Sequence, residues 1–215
     1  MNDLALRRTI LDELEFQPNI DAAAIGVTIE NGVIGLTGHV KTYAEKIAAE
    51  RVVKRVKGVR AVAEDIEVRV PTEFDVGDEA IASRCLKVIQ WNSAVPDEHL
   101  LIKVQQGWVT LEGEVEWQFQ KEAAQGAVRH LAGVTGINNM LQVKPKDSPD
   151  DIQRQIETAL ARNAELDASK IRVTVQGRTV KLEGFVHLWL ERKAIEKAAW
   201  AVPGVCHVEN YVLLD

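Results

Sequence analysis

The sequence is poor in the residues that build disulfide scaffolds and metal centres. Its 215 residues include only two cysteines, Cys85 and Cys206, which lie far apart and form no CxxC or Cys/His spacing. Neither a disulfide framework nor a zinc site is therefore indicated. The five histidines also recur at no ligand spacing; they are His39, His99, His130, His187 and His207. The sequence predicts no metal site and no cofactor.

Long apolar runs and an excess of basic residues are also missing. Acidic residues interrupt the apolar stretches of the N-terminal segment MNDLALRRTILDELEF, and no run reaches the roughly 20 apolar residues of a membrane span. The formal net charge is −6, whereas nucleic-acid-binding proteins usually carry a basic surface. We therefore expect a soluble, cytoplasmic protein that binds no nucleic acid.

Catalytic signatures are absent from the sequence as well. It contains neither a GxSxG nucleophile elbow nor a P-loop, and it shows no paired acid and base. Cys85 aligns with Ile10 and Ile156 in the repeat pattern described next, which makes it a core residue rather than a nucleophile. The sequence therefore predicts a protein that is not an enzyme.

What the sequence does contain is one short motif three times. The segments are GVIGLTGHV at 32–40, GWVTLEGEV at 107–115 and RTVKLEGFV at 178–186. Aligning their glycines brings three whole units into register, and a second glycine, followed by valine, recurs 20 residues later in each unit. We predict three tandem repeats, at 1–70, 76–145 and 148–215. Their structural glycines are Gly38, Gly58, Gly113, Gly133, Gly184 and Gly204.

Each repeat predicts the same order of secondary structure. Apolar residues alternate along two segments, which is typical of strands with one buried face. The predicted hairpin turns are Asn31-Gly32, Gln106-Gly107 and Gln176-Gly177. A helix with an apolar stripe precedes the hairpin, a second amphipathic helix follows it, and a third strand closes the repeat. We therefore predict an α+β fold of three α-β-β-α-β repeats, each with two helices packed on one face of a three-stranded mixed sheet.

The second helix of each repeat also carries a predicted apolar stripe. Its predicted stripes are Ala44, Ala48, Val52 and Val56, then Phe119, Ala123, Ala127 and Leu131, and finally Leu190, Ala194, Ala198 and Val202. The second glycine of each repeat follows the last apolar position, and we expect it to end the helix as a left-handed cap. In the third repeat Pro203 precedes this glycine and predicts a slightly earlier end.

Two tryptophans occupy positions that the repeat pattern predicts to be exposed. Trp108 lies on the strand face opposite Leu111, and Trp200 takes the helix position of Lys54 and Arg129. Large aromatic side chains at exposed positions indicate interfaces. Packing between repeats is the simpler interpretation, and contact with a partner or a membrane is the alternative.

A basic cluster completes the candidate interaction surface. It lies in and just after the second helix of the first repeat and comprises Lys46, Arg51, Lys54, Arg55 and Lys57, with Arg60 following. Near anionic headgroups each basic residue contributes about 1 kcal/mol, so this cluster is the best candidate for membrane contact. The alternative is a solvated helix face with Lys46–Glu50 and Glu50–Lys54 pairs, each worth about a few tenths of a kcal/mol.

These features together resemble the BON domain, which occurs in bacterial osmotic-stress and nodulation-associated proteins. The resemblance rests on the element order, the LTG or LEG glycine that ends the second strand, the Ala-rich second helix and the GV pair after it. It covers nearly the whole chain as three copies. An asparagine common in the family is matched by Asn139 and Asn210, whereas the first repeat has Glu64. We expect this amide to make a turn or strand-end hydrogen bond.

The resemblance implies a non-enzymatic binding module. Members of the family are thought to attach to phospholipid surfaces, and some bind small ligands or ions. We therefore expect a role in osmotic or envelope stress, with an anionic phospholipid surface or an envelope or stress protein as partner. Many members are exported to the periplasm, whereas no export signal precedes the first repeat, which favours the cytoplasm and a place peripheral to the membrane. The alternative is a sensor whose three repeats close around a small ion or metabolite.

Overall fold

The chain folds three times into the predicted order of helix, strand, strand, helix and strand. The structure, a computed structural model, describes residues 3–72, 76–96, 100–144, 152–162 and 170–214. Its helices are α1 (Asp3–Glu15), α2 (Tyr43–Val53), α3 (Asp78–Trp91), α4 (Gln118–Val128), α5 (Ile152–Ala161) and α6 (Trp189–Trp200), with a 3-10 turn at Ala22–Ala24. Its strands are β1 (Ile25–Glu30), β2 (Val33–Val40), β3 (Ala61–Val68), β4 (Leu100–Gln105), β5 (Trp108–Val115), β6 (Gly136–Asn139), β7 (Gln142–Val143), β8 (Ile171–Gln176), β9 (Thr179–Val186) and β10 (His207–Leu214).

Each repeat builds one mixed sheet around the second strand of its hairpin. In the first repeat β2 pairs antiparallel with β1 and parallel with β3, so that Ile34 lies opposite Ile29 and Val62. The third repeat has the same pairing, with β9 between β8 and β10. The second sheet keeps the order β4-β5-β6, and its last strand is divided, with β7 also pairing with β5. These three mixed sheets confirm the predicted α+β architecture.

The two helices of a repeat cover one face of its sheet. In the third repeat α5 contributes Ile156, α6 contributes Ile195 and the sheet contributes Leu182 to one buried cluster. The stripe predicted for the first helix is buried in all three repeats; it comprises Leu6, Ile10, Leu14, Ile81, Cys85, Ile89, Ile152, Ile156 and Leu160. The outer face of each sheet therefore stays free of the repeat's own helices.

The second helix of each repeat packs on its sheet mainly through a face next to the predicted stripe. Val52 and Val202 are buried as predicted, but Phe119 and Leu190 are more than half exposed. The apolar residues of these helices that are fully within the core are Tyr43, Ala49, Val52, Val53, Ala124, Val128, Ile195 and Ala199. The prediction was wrong for Phe119 and Leu190, and the other stripe residues are partly buried. These Ala-rich helices carry small apolar residues on two adjacent faces, and periodicity alone does not choose between them.

The strand-end glycines lie where a side chain would meet the backbone of the preceding segment. Gly38 has a φ of +116° and Gly184 a φ of +145°. A Cβ on either residue would lie 2.1 Å from a carbonyl oxygen, that of Ala24 or of Lys170. Because real side-chain atoms do not approach an oxygen so closely, only glycine fits at this point of the repeat.

Three predicted details of the loops differ from the structure. The third hairpin turn consists of Gly177 and Arg178, because Gln176 already pairs with Thr179 in the ladder. The second helices end at Val53, Val128 and Trp200, several residues before the second glycines, so Gly58, Gly133 and Gly204 adopt positive φ within the loop to the third strand. Pro203 does not shorten α6, which is the longest of the three second helices.

Candidate ligand-binding cavity

The chain divides into two compact units, and the candidate site lies within the second. The first unit comprises residues 1–88, 102–110 and 126–138. The second comprises residues 89–101, 111–125 and 139–215. The second unit therefore contains the third repeat together with most of α4, so contacts between α4 and α6 belong to this one unit.

A cavity of about 320 Å³ lies between the beginning of α4 and the end of α6. On the α4 side it is lined by Trp117, Gln118, Phe119 and Glu122. On the α6 side it is lined by Lys197, Trp200 and Ala201. This volume is at the lower end of the range of small-molecule pockets, and the combination of aromatic walls with a few polar groups is typical of them.

The start of α4 places Trp117 at the cavity instead of at a helix cap. Gln120 Oε1 accepts hydrogen bonds from the backbone N–H groups of Glu116, at 2.9 Å, and of Trp117, at 3.0 Å. At the equivalent position of α2, the Thr42 hydroxyl accepts a bond from the Glu45 N–H at 3.1 Å. An indole cannot replace that acceptor, and losing such a cap costs about 1 kcal/mol. Because Gln120 satisfies these N–H groups, the helix does not need the indole for capping, and Trp117 is available to line the cavity.

Three aromatic rings line the cavity from two repeats. The centroids of Trp117 and Phe119 are 6.5 Å apart with their planes tilted by 30°. Phe119 is 56% exposed, so its ring is accessible from solvent. Trp200 on the facing wall is partly buried and packs against the core cluster of the third repeat. The cavity thus has one wall supported by a core and one wall with an exposed ring.

Two side chains of opposite charge complete the lining. Glu122 lies one turn after Phe119 on α4, and Lys197 lies one turn before Trp200 on α6. Gln118 Nε2 donates to Glu122 Oε1 at 3.5 Å, which holds the carboxylate along α4. An apolar site with one carboxylate and one ammonium group has the features needed to bind and orient a small polar molecule.

Trp108, the other predicted surface tryptophan, belongs to the first unit and is not part of this cavity's lining. Its ring covers Gly136 on the neighbouring strand, where an added Cβ would be only 2.6 Å from a ring carbon. Trp108 is 55% exposed, so one ring face packs on the glycine while the other faces solvent. Its position is explained by cross-strand packing over a residue that has no side chain.

The predicted basic cluster is divided by the structure into engaged and exposed residues. Lys46 is engaged, because its Nζ lies 3.1 Å from a Glu64 carboxylate oxygen and donates to the Ile66 carbonyl at 2.8 Å. Its side chain is only 22% exposed. The Glu50–Lys54 pair is present as predicted, whereas Lys46 pairs with Glu64 and not with Glu50. The exposed basic side chains of the predicted surface are Arg51, Arg55 and Lys57.

The residue at the asparagine position makes the same local hydrogen bond in all three repeats. The side-chain oxygens of Glu64, Asn139 and Asn210 accept from the N–H two residues later, at 2.6, 3.3 and 3.2 Å. The side chain also contacts the second helix: Asn139 Nδ2 donates to the Lys121 carbonyl at 2.9 Å. In the first repeat the Lys46–Glu64 pair links the same two elements. Glu64 therefore replaces the amide, and its role is structural.

The remaining chemical groups give no sign of catalysis or metal binding in the part of the chain that is described. Cys85 is fully buried, and burial raises the pKa of its thiol to about 11, which suits a core residue and not a nucleophile. Among the described residues no group of three His, Cys, Asp or Glu side chains could hold a metal ion. Within the same ranges no helix combines the length and hydropathy needed to cross a bilayer.

Comparison with known proteins assigns the family. The sequence model of the BON domain matches the chain three times, at residues 2–70, 77–145 and 148–214. The chain therefore belongs to the BON domain family, as its glycine pattern predicts. It is 30% identical over 148 residues to osmotically-inducible protein Y of Escherichia coli K12, a match that covers 67% of this chain and 74% of that protein.

Similarity to solved structures is weak. The C-terminal domain of CdsD, a structural protein of the type III secretion system of Chlamydia trachomatis, is 14% identical with a TM-score of 0.27, and the match covers 100% of both chains. A second CdsD structure gives the same identity and score over 98% of this chain and 92% of that one. Scores this low support no conclusion about the present protein.

Of the cavity residues, only Trp200 belongs to the predicted interaction surface. Trp117, Phe119, Glu122 and Lys197 are not predicted, because nothing in a single sequence shows which repeats touch. A signal was present nevertheless. Aligned with the first repeat, Trp117 replaces Thr42 at a helix cap, and no capping or core role requires that exchange.

Proposed function

We propose that the protein is a non-catalytic binding module of osmotic stress that holds a small organic ligand in the cavity between α4 and α6. The observation that carries the proposal is the meeting of Trp117, Phe119 and Trp200, from two repeats, around one cavity. Membership of the BON family and similarity to osmotically-inducible protein Y support the link to osmotic stress. This is the small-ligand alternative of the sequence analysis, confined to two repeats.

Such a ligand would act as a link between neighbouring repeats. It would contact α4 of the second repeat and α6 of the third at the same time, so its binding free energy would stabilise the packing of these two helices. A rise in ligand concentration would then be converted into a tighter arrangement of the second unit. This is how a module without catalytic groups can report the level of a solute.

The test is a binding screen with a variant in which the cavity is filled. Neutral, cationic, anionic and zwitterionic solutes of small size are titrated while the indole NMR signals of Trp117 and Trp200 are followed. At least one solute should bind with saturation to the parent chain and at least about tenfold more weakly to Ala201→Phe, because the new ring occupies the cavity. Ala61→Phe, on an exposed strand position of the first repeat, is the matched control. If no solute binds in a way that Ala201→Phe reduces, the proposal is wrong.

A second candidate function, contact with anionic phospholipid, is favoured by the exposed side chains of Arg51, Arg55 and Lys57. Three basic residues contribute about 3 kcal/mol near such a surface, and salt weakens this attraction. Co-sedimentation with anionic vesicles should therefore fall with salt and fall further in Arg51→Glu/Arg55→Glu. Arg84→Glu/Lys87→Glu, on exposed positions of α3, should behave like the parent. Equal binding to neutral vesicles, or none to anionic ones, would contradict this candidate.

A further inference from the structure

We infer that the cavity between α4 and α6 selects a methylated ammonium group, and that a small zwitterion carrying such a group is the ligand class it fits best. The inference rests on the proposed function and adds the chemistry of the ligand. It is carried by the aromatic lining and by the two charged side chains that lie one turn from it.

The aromatic lining favours a soft cation over an inorganic one. The rings of Trp117, Phe119 and Trp200 line the cavity, and the face of an aromatic ring carries negative charge density that attracts a cation at short range. A strongly hydrated cation would have to give up its water, and the lining offers only Gln118 and Glu122 as oxygen ligands to replace it. A methylated ammonium group is weakly hydrated and apolar at its surface, so it satisfies both the rings and the charge.

The two charged residues favour a ligand with both signs. Glu122 adds a carboxylate to the α4 side of the cavity, where it complements the cation. Lys197 adds an ammonium group to the α6 side, where it repels a simple cation and attracts an anionic group. A molecule with a methylated ammonium group and a carboxylate or phosphate close to it matches both. We therefore expect a zwitterion to bind more tightly than the cation alone.

The fold itself does not require this combination. At the positions of Trp117, Phe119 and Glu122 the first repeat has Thr42, Ala44 and Ile47, and the third repeat has Leu188, Leu190 and Lys193. All three repeats nevertheless build the same helix on the same sheet. The rings and the carboxylate are thus a property of the second repeat and not of the architecture, which is what a ligand site predicts.

The same chemical group occurs in free solutes and in choline headgroups of lipids, and the experiment separates these sources. Calorimetric titrations of the full chain use trimethylglycine, choline, glycine and 3,3-dimethylbutan-1-ol, the uncharged isostere of choline. Vesicles of phosphatidylcholine and of phosphatidylglycerol form the lipid arm. Trimethylglycine should bind most tightly and choline next, while glycine and the isostere should be about tenfold weaker than choline or worse.

Variants test the lining residue by residue. Phe119→Leu and Trp200→Leu keep apolar volume but remove a ring, and each should lower the affinity for trimethylglycine about tenfold. Phe185→Leu is the matched control, since Phe185 and Phe119 are equally exposed at 56%. Glu122→Gln should lower the affinity for choline more than the affinity for trimethylglycine, because the zwitterion keeps its attraction to Lys197. Circular dichroism checks that each variant is folded.

Each result has one meaning. Equal affinity for choline and its isostere, or full affinity in Phe119→Leu, would overturn the methylated-ammonium inference while leaving a small-ligand site in place. Failure of every solute in the wider screen would overturn the proposed function as well. Binding of phosphatidylcholine vesicles without binding of free trimethylglycine or choline would assign the site to a lipid headgroup, and the reverse would assign it to a free solute.

Discussion

Two equivalent positions of the repeat are closely packed in the first unit and line a cavity in the second. In the first unit Tyr43, at the beginning of α2, is only 8% exposed and lies near Arg129, at the end of α4. In the second unit the equivalent residues are Gln118, at the beginning of α4, and Trp200, at the end of α6, and both line a cavity. The same arrangement of helices can therefore form either a closely packed contact or a cavity.

The filled contact has the features of a structural one. Burial, with a further contribution from Glu50, raises the pKa of the Tyr43 hydroxyl, while the nearby backbone of Ile137 and the charge of Arg129 oppose the rise. The Arg129 Nε is buried and has no hydrogen-bond partner among the described residues. The large, buried ring of Tyr43 holds this contact together.

The residues around the two contacts differ in size as well. The first unit has Thr42, Ala44 and Gly126 where the second has Trp117, Phe119 and Lys197. Small residues allow two elements to approach, whereas large rings keep them apart unless the rings interdigitate. The comparison teaches that the second unit has open space where the first has a filled contact, so under the proposed function the first unit should respond to core changes and the second to ligands.

Removing the Tyr43 ring should produce the largest effect. Tyr43→Ala should lower the free energy of unfolding by about 3 kcal/mol, because removing a buried aromatic side chain leaves a cavity. Gln118→Ala should change it by less than about 0.5 kcal/mol, since that side chain borders open space. Urea unfolding of both variants measures the difference. Similar changes in the free energy of unfolding at the two positions would show that the second contact is packed as closely as the first.

The two thiols, one in each unit, provide a second comparison. Cys85 is buried and Cys206 is partly exposed, and both are free. A thiol reagent should therefore modify Cys206 in the native protein and Cys85 only after unfolding. Fast modification of Cys85 would show that the core of α3 opens readily.

The raised pKa of Cys85 also predicts a dependence of stability on pH. The unfolded thiol has its ordinary pKa of 9.0 and releases its proton first as the pH rises, whereas the folded thiol keeps its proton up to about pH 11. The contribution of this thiol to the free energy of unfolding is fully present below the unfolded pKa. About 1 kcal/mol of it is lost between about pH 8 and about pH 10. In Cys85→Ala the free energy of unfolding, measured by urea titration at each pH, should not show this loss. If it falls over the same pH range as steeply in the variant as in the parent chain, the assignment to Cys85 is wrong.

A small gain of stability is expected at Gly126. This residue lies within α4, and an added Cβ would meet only Arg129 Nη2, at an ordinary distance of 3.7 Å. Gly126→Ala should raise the free energy of unfolding by about 0.5 to 1 kcal/mol through helix propensity. Gly38→Ala is the opposite control, because its Cβ would lie 2.1 Å from the Ala24 carbonyl oxygen. A loss of stability in Gly126→Ala would mean that neighbouring parts of the first unit approach α4 more closely at this residue than the structure shows.

Much of the fold could be predicted because its signals are local. The stripes of the first helices, the alternation of the hairpin strands and the strand-end glycines depend on contacts within one repeat, and the structure has them in place. The stripe of the second helix could not be chosen, since Ala48 and Ala49 fit a core equally well by type and only Ala49 enters it. Lys46 was placed on the surface because charge indicates exposure, yet Glu64 holds it against the sheet.

The candidate site could be predicted only in part for a different reason. Trp200 stands out because it replaces a charged residue, whereas Phe119 aligns with Ala44 and was assigned to the core. It is exposed because α4 packs on its sheet through Ala124 and Val128, a choice of face that periodicity in one sequence does not decide. Contacts between repeats follow from packing over the whole unit, so the cavity became visible only with the structure.

The most direct test of this account is a titration of trimethylglycine into the parent chain and into Gln118→Tyr, which gives the second unit the residue that fills the first. The indole NMR signals of Trp117 and Trp200 report binding, and urea unfolding reports stability. The account predicts saturable shifts of both indoles in the parent and their loss in a stable Gln118→Tyr. Absence of a saturable shift in the parent, or equal affinity in the variant, would contradict the claim that an open contact between repeats is the ligand site.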